Sequence, residues 1–291
     1  MRVLITGGEG QLAGDLMRSF HEHDVLALGR AELDVTQPAS IDSVVTLSAP
    51  DVIVNTAAFH RVDLCESEPE QSFLVNAAAP QRLARWCAEH GSVLVHFSTD
   101  YVFDGRKGRP YTEDDPIAPL SVYGTSKSAG EMAIRATTDR HLIVRTTGVY
   151  GVAGVGTPHG NFVETMLRLA GKGAPVSVVA DQILTPTYAR DLAEAVVRLV
   201  EGQVTGTVHV TGSGECSWYD FAAEIFRLAG VATPIVPTTQ GERPVPAARP
   251  AYSVLAHERL RSLGIPEPLP WKLGLAAYMA ERAERVSAAP A

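Results

Sequence analysis

Residues 2–20 constrain the fold more than any other stretch. Arg2-Val3-Leu4-Ile5 is a short β-branched apolar run. Thr6-Gly7-Gly8-Glu9-Gly10-Gln11-Leu12-Ala13-Gly14 follows, and Asp15-Leu16-Met17-Arg18-Ser19-Phe20 has helical spacing. The reading is strand, glycine turn, helix. Gly7 allows the tight turn and Gly10 allows a pyrophosphate to approach the backbone. Ala13 is small enough for the helix to pack on the strand. The helix N-terminus adds N–H donors and a positive dipole end. A chain that opens this way is expected to bind a dinucleotide, with Gln11 and Leu12 at the start of the helix beside it.

Strand and helix patterns then alternate. Val25-Leu26-Ala27-Leu28 reads as the second strand, ending at Gly29-Arg30. An acidic residue at that point suits the ribose 2′-hydroxyl of NAD, and an arginine suits the 2′-phosphate of NADP. Arg30 therefore favours NADPH, with NADH still open and a solvated loop cation as the competing reading. Asp34 and Val35 follow within reach of an adenine. Asp51 to Ala58 reads as a strand ending in small residues, where Ala57 and Ala58 let a cofactor pass. A helix is expected from about Glu70 to His90. Leu142 to Thr147 is the next strand, and strands near 176–179 and 207–210 follow. Such alternation with glycine punctuation implies an α/β, doubly wound parallel sheet of Rossmann type.

Val93-Leu94-Val95-His96-Phe97 reads as a buried parallel strand. Its polar end, Ser98-Thr99-Asp100-Tyr101, falls at the carboxyl edge of the sheet, where open α/β folds bind ligands. Tyr123-Gly124-Thr125-Ser126-Lys127 opens a helical pattern. Tyr123 and Lys127 are four apart and share one helix face. A phenol beside an ammonium is expected to have a depressed pKa, which suits a general acid. The segment 104–120 between these two pieces is rich in Gly, Pro and acids and reads as a surface loop.

Composition excludes several classes. The chain has 291 residues, 45 % hydrophobic and 20 % charged, with a formal net charge of −8. That charge argues against nucleic acid as the main partner. No apolar run reaches membrane-spanning length and no signal-peptide pattern opens the chain, so a cytoplasmic home is expected. Cys65, Cys87 and Cys216 are odd in number and widely spaced, and read as ordinary thiols. The nine histidines lack metal-ligand spacing, and no resident metal is expected.

After Tyr150 the texture changes. The stretch 151–160 is glycine-rich and is expected to be mobile, closing over a ligand. Phe162 to Leu169 and Ser217 to Leu228 read as helices, and the proline-rich 233–250 reads as loop. The expected organisation is a dinucleotide domain over 1–150, with returning segments near 176–212. A smaller, discontinuous C-terminal lobe over 151–175 and 213–291 would bind substrate.

Thr6-Gly7 with Gly10, the Ser98-to-Phe103 run and Tyr123-Gly124 with Lys127 resemble the extended short-chain dehydrogenase/reductases. Within them the chain resembles the dTDP-4-dehydrorhamnose reductase family. The motifs are Gly10-Gln11-Leu12, Val62-Asp63 with Glu66-Ser67-Glu68-Pro69, and Asn161-Phe162 with Thr165-Met166-Leu167. Asp181-Gln182, Pro186-Thr187, Trp218-Tyr219 with Phe221, and Arg249-Pro250 with Ser253 complete the set. The resemblance covers nearly the whole chain. It implies reduction of the C4 ketone of a nucleotide-activated 4-keto-6-deoxysugar by NADPH. Tyr123 would protonate the alkoxide, Lys127 would hold the nicotinamide ribose and Thr99 would bind the reacting oxygen. Ser98, Tyr123 and Lys127 would also line the cofactor site. Thr99, Asp100, Tyr101, Gly148, Asn161, Phe162 and Arg249 would form the substrate side, with Arg249 toward the diphosphate. A homodimer is compatible with the resemblance.

The chain departs from the family at three places. Phe59-His60-Arg61 stands where many members have a Thr after an Ala-Tyr pair, and His60 reads as a loop residue near the cofactor, with a sugar contact as the competing reading. Gly148 stands where relatives carry a tryptophan against which the sugar packs, so an open volume is expected there, filled by the sugar or by Phe59 or His60. The glutamates that hold Mg²⁺ between subunits in some members have one counterpart, Asp15, and none near Arg190-Asp191. Two other readings compete with the reductase. One is a non-catalytic regulatory subunit resembling the β subunit of methionine adenosyltransferase. The other is an epimerase of the same superfamily.

Overall fold

A computed structural model of the chain describes residues 1–155, 157, 160–242 and 244–288. Six strands build the central sheet. They are β1 (Arg2–Thr6), β2 (Asp24–Leu28), β3 (Val52–Asn55), β4 (Val93–Thr99), β5 (His141–Thr146) and β6 (Gly206–His209). Their order is β6-β5-β4-β3-β1-β2, and every pairing is parallel. From β1 the chain moves outward to β2 and then returns to the other side for β3. That reversal puts the switch point, and the ligand crevice of an open α/β sheet, between the carboxyl ends of β1 and β3.

Strand alternation decides which helix meets which face. Leu4, Ile53, Leu94 and Ile143 point to one side, where they pack with Ile41, Val45, Leu83 and Ile134. Val3, Ile5, Val54, Val95 and Val144 point to the other, against Ala13, Leu16, Leu192 and Val196. Burying each such side chain contributes roughly 1.5–3 kcal/mol. Both faces are covered, so the sheet must be parallel and doubly wound, as the sequence implies. The helix Gln11–Ser19 leaves the glycine turn and lies on the second face beside the helix Ala189–Glu201.

The helix expected over 70–90 is interrupted. It runs as Pro69–Phe73, a wider π turn Leu74–Ala78, and Ala79–His90. The π turn aims Asn76 inward, where its amide holds both the N–H and the C=O of Phe59 and reaches Ser126 Oγ. Single π turns of this kind recur at functional sites, and this one ties the segment after β3 to the Tyr123–Lys127 helix.

A second core lies beyond β5. Tyr150, Val163, Met166, Tyr188, Phe221, Trp271 and Tyr278 pack there. The strand Val176–Val179 does not rejoin the main sheet. It pairs in parallel with Ile235–Thr238, because Val176 and Val178 face the aromatic core of this second cluster. The part of 176–212 that returns to the sheet is the helix Ala189–Glu201 with β6. The proline-rich stretch expected as loop therefore contains a strand. Pro237 is tolerated because that strand pairs on one side only. Residues 156, 158 and 159 of the expected lid lie outside the described residues. Its described start is packed: Val152 and Gly154 are buried, and Gly151 N–H donates to Gln11 Oε1 at 3.2 Å.

Candidate active site

Gly7 has φ +69°, and a Cβ there would stand 2.9 Å from Thr56 Oγ1, so only glycine fits the turn. Gly10 is the N-cap of the following helix and offers no side-chain cap, and the first helical turn carries no acid. The free N–H groups of that turn open at the head of a cleft of about 360 Å³. Anion binding by such an end needs no further residue. Gln11 and Leu12 line the same cleft, and Gln11 Nε2 also donates to Val149 O at 3.3 Å.

The far wall comes from β4 and the helix Val122–Arg135. Thr99 ends β4, and its Oγ1 donates to Asp100 Oδ1 at 2.9 Å. Ser121 caps the helix by accepting from Gly124 N–H at 3.2 Å. Gly124 itself lies against β4's end, since a Cβ would meet Tyr101 O at 2.2 Å. That contact brings Tyr123 to Thr99. Ser98, Thr99, Asp100, Tyr101, Tyr123 and Lys127 all line the cleft. Farther along the helix, Glu131 forms a two-point ion pair with Arg145 of β5, at 2.9 and 2.8 Å, and both side chains are buried. The pair locks the helix against the sheet. Ser98 is buried with its hydroxyl beside Glu131.

Electrostatics follow from burial. Burial raises the Tyr123 phenol above its ordinary pKa, against the pull of the Thr99 hydroxyl. This corrects the expectation of a depressed phenol. Tyr123 keeps part of its surface open to the cleft, which moderates the rise. Lys127 is 2 % exposed, and burial lowers its ammonium to about 8 against the opposing field of Glu131. Burial also pushes Asp100 up to about 6, opposed by the hydroxyls of Ser253, Thr147 and Thr99.

The remaining expected residues fall in several places. Ala58 lines the cleft, and Ala57 lies behind it against Gly7. Arg30 and Asp34 stand past the end of β2, away from the central cleft. The Arg30 side chain is 76 % exposed, with Nε 3.5 Å from Asp34 Oδ2. Asp34 also accepts from Thr36 N–H and Oγ1 at 2.9 and 2.7 Å. Val35 is buried in the core with Leu33 and Ile41. Asn161 does not line the cleft. It caps the helix Phe162–Ala170, and its Nδ2 donates to Gly151 O at 3.1 Å. Phe162 packs behind Trp218 at 4.4 Å between ring centroids. Arg249 is held by Asp63, with contacts of 2.8 and 3.1 Å, beside the Tyr101 phenol.

Gly148 lines the cleft, but the space that a side chain there would enter is already taken by neighbours. A Cβ there would stand 3.0 Å from Leu184 Cδ1. Trp218 and Leu184 form the wall at this point, with Gln182 and Ser253 nearby. None of these four was expected among the site residues. They come from distant segments without periodic signal; Gln182, Trp218 and Ser253 stand in the family motifs, and Leu184 carries no such signal. His60 also lines the cleft. Phe59 does not, because its backbone is turned to Asn76.

The cleft fits a dinucleotide. It has a glycine cradle that a Cβ would fill, a helix N-terminus without a side-chain cap, and Thr146 Oγ1 buried with no partner among the described residues. Among the described residues no cluster of three or more acidic, His or Cys side chains is placed to hold a metal. Asp15 instead pairs with Arg18, and Glu281 with Arg18 and Arg190, at 3.2 and 3.6 Å.

Fold and cleft together define a nicotinamide-dependent oxidoreductase of the short-chain type. The family model described as the RmlD substrate binding domain matches residues 1–284. The chain belongs to that family, the dTDP-4-dehydrorhamnose reductases. It is 42 % identical over 283 residues to the spore coat polysaccharide biosynthesis protein SpsK of Bacillus subtilis, covering 97 % of this chain and 98 % of the relative. To a dTDP-4-dehydrorhamnose reductase of Streptomyces griseus it is 42 % identical over 284 residues, covering 94 % and 91 %. The crystal structure of dTDP-4-dehydrorhamnose reductase from Bacillus anthracis in complex with NADP superposes with a TM-score of 0.92. Its identity is 36 %, and the match covers 96 % of this chain and 99 % of that one.

Proposed function

We propose that the protein reduces the C4 ketone of a dTDP-4-keto-6-deoxysugar with NADPH, in deoxysugar biosynthesis. One observation carries the reading: a strand-end hydroxyl, a phenol and a buried ammonium line one cleft beside an uncapped helix N-terminus. Reduced nicotinamide, when bound, supplies a hydride to the carbonyl carbon. The chain's part is to hold the ketone and deliver a proton. Thr99 Oγ1, turning its one proton from Asp100 to the carbonyl oxygen, would donate to that oxygen as it gains negative charge. The Tyr123 O–H then transfers its proton to that oxygen. Lys127 stabilises the phenolate left behind, and its charge lowers the cost of that transfer. A raised phenol pKa keeps Tyr123 protonated, hence ready to donate, at neutral pH.

The cofactor side is read as Gly7, Gly10, Gln11 and Leu12 around the pyrophosphate. Ala57, Ala58 and Ser98 line the path, and Arg30, Asp34 and Val35 lie toward the adenosine. On the substrate side the wall of Trp218 and Leu184 is assigned to the sugar. Arg249, fixed by Asp63, is assigned to the diphosphate, where its fork of donors suits paired oxygens.

A regulatory subunit has no use for a buried, desolvated ammonium, so the Lys127 site favours the enzyme. An epimerase must keep its nicotinamide through both half-reactions, whereas a reductase exchanges it each turnover. The deciding experiment incubates the protein with NADPH and a panel of dTDP-4-keto-6-deoxysugars and follows loss of reduced-nicotinamide absorbance. Stoichiometric oxidation with a matching alcohol product is expected, and a product at the sugar's original oxidation level would exclude the reductase. The reading places the protein in the cytoplasm, where its cofactor and sugar nucleotide are made. No described helix is long and apolar enough to cross a membrane. It also allows a homodimer, and light scattering on the eluting peak measures that mass directly.

A further inference from the structure

The Lys127 ammonium has a hydrogen-bond partner outside the machinery described above. Nζ lies 3.2 Å from Nε2 of His96. His96 sits in the middle of β4 and is 0 % exposed. Its other ring nitrogen, Nδ1, is 3.0 Å from the Asn55 amide at the end of β3. The far end of that amide is 2.7 Å from Thr6 Oγ1, the last residue of β1 before the glycine turn. Thr6 and Asn55 are also buried. Four polar side chains thus run from the Tyr123–Lys127 helix across three adjacent strands of the buried sheet.

A buried polar group without a partner is costly, so such a thread persists only if every member is satisfied. Burial and the Lys127 charge keep His96 well below its ordinary pKa, and it is therefore neutral. A neutral imidazole has one donor and one acceptor. As placed, the Asn55 Nδ2 faces His96 Nδ1 and Thr6 Oγ1–H donates to Asn55 Oδ1. With Lys127 charged, Nζ donates to Nε2, and the amide turned end for end lets Nδ1–H donate to the Asn55 carbonyl and the Asn55 N–H donate to Thr6 Oγ1. The two ends of an amide have the same shape, so the thread closes in that direction without moving an atom far. Among the described residues no other hydrogen bond to Lys127 Nζ occurs, which leaves its remaining N–H groups free toward the cleft.

We propose that His96 is a positioning residue for Lys127. It is the buried acceptor that holds the ammonium charged at the cleft edge and ties it, through Asn55, to the mouth of the glycine turn. The proposal rests on the reading of Lys127 as the partner of the proton donor. The charged group nearest on the same helix is Glu131, itself held by Arg145 of β5 and by Arg135. From β1 and β3 the neutral Thr6 and Asn55 face the imidazole, and Tyr123 stands one turn before Lys127. An acceptor bond to the charged form favours that form. Removing it should therefore lower the Lys127 pKa, and the alkaline limb of turnover should move down in pH.

The test observes Lys127 itself. The chain has four lysines, Lys107, Lys127, Lys172 and Lys272, so ¹³C-lysine labelling gives a simple spectrum, and Lys127→Met assigns the signal. The midpoint is measured in the wild type, His96→Gln and His96→Asn. Glutamine places an acceptor near the position of Nε2, and asparagine places one near Nδ1. The two variants bury comparable polar groups, so their folds are comparable, and melting temperatures check this. The midpoint should stay near wild type in His96→Gln and fall by about one to two pH units in His96→Asn. The limb of kcat against pH should follow in the same order. Equal midpoints in the two variants would overturn the proposal and leave His96 as a core residue only. Undiminished turnover in Lys127→Met would instead sink the reading of Lys127, while the lysine titration would still report on His96.

Discussion

The Trp218 indole lies 3.6 Å from the point where a side-chain carbon on Gly148 would begin. Leu184 is closer still, at 3.0 Å, and Gly148 has φ +54°. The glycine is therefore required by the backbone and by its neighbours, and the aromatic surface is supplied from the helix Trp218–Ala229. Phe162 and Phe221 pack behind the indole at 4.4 and 6.3 Å between centroids, which fixes its plane.

Trp218→Ala should accordingly open the wall. Loss of the aromatic contact and its buried area should lower kcat/KM for the preferred sugar by roughly tenfold or more, and narrow the gap to a second sugar. Gly148→Trp should lower the melting temperature, because a β-carbon at positive φ costs on the order of 1–2 kcal/mol before any clash with Leu184. Comparing two dTDP-4-keto sugars in wild type and Trp218→Ala checks the first statement, and a thermal melt checks the second. Unchanged discrimination in Trp218→Ala would remove the indole from the specificity wall.

Tyr123→Phe keeps the ring and its edge contact with Tyr101, at 5.8 Å between centroids, and removes the transferable proton. Turnover should fall by roughly 10²- to 10⁴-fold. NADPH affinity, read from fluorescence titration, should change little. A variant with near-wild-type turnover would move the acid elsewhere, with Asp100 the next titratable group at the cleft.

Arg30→Ala separates the two nicotinamide cofactors. Arg30 is exposed and only loosely engaged by Asp34, so it is free to turn toward a 2′-phosphate. Loss of one charge-assisted contact should weaken NADPH by roughly ten- to a hundredfold. NADH, which lacks that phosphate, should bind as before. Equal losses for both would mean that Arg30 does not read the phosphate.

What the sequence shows and what it hides have physical reasons. Strand polarity at Ser98-Thr99 and the spacing of Tyr123 and Lys127 are local, so they are legible before any packing is known. The sheet is legible for the same reason, since each strand is a run bounded by turn residues. Trp218, Leu184 and Gln182 are not, because only the tertiary path brings them to Gly148. The phenol was misjudged because spacing gives the Lys127 charge but not the burial that opposes it. The strand at 176–179 is legible as a strand, but its pairing with Ile235–Thr238 is not, because its alternation says that one face is buried, not which core buries it. Asn161 and Phe162 illustrate the converse. Their place in a family motif reflects a helix cap and an aromatic backing, and neither touches the cleft.

The last prediction concerns pH. In the folded chain burial lowers Lys127 to about 8, from an ordinary value of 10.5. Below about 8 both folded and unfolded chains carry the proton, and the folded chain bears the full cost of a buried charge. Between 8 and 10.5 the unfolded chain binds more protons than the folded one, so this residue's contribution to stability rises with pH across that window. The size of the rise is about 3 kcal/mol, as an order of magnitude. Catalysis runs the other way, because the ammonium that stabilises the Tyr123 phenolate disappears as pH passes about 8. Turnover should therefore decline on the alkaline side while the same ionisation stabilises the fold. Denaturant unfolding of wild type and Lys127→Met between about pH 7 and pH 10 isolates the residue, since other groups cancel in the difference. The stability gap should move in favour of the wild type as pH rises. A gap that stays constant across the window would mean that Lys127 titrates at its ordinary value, and that the decline in turnover belongs to another group.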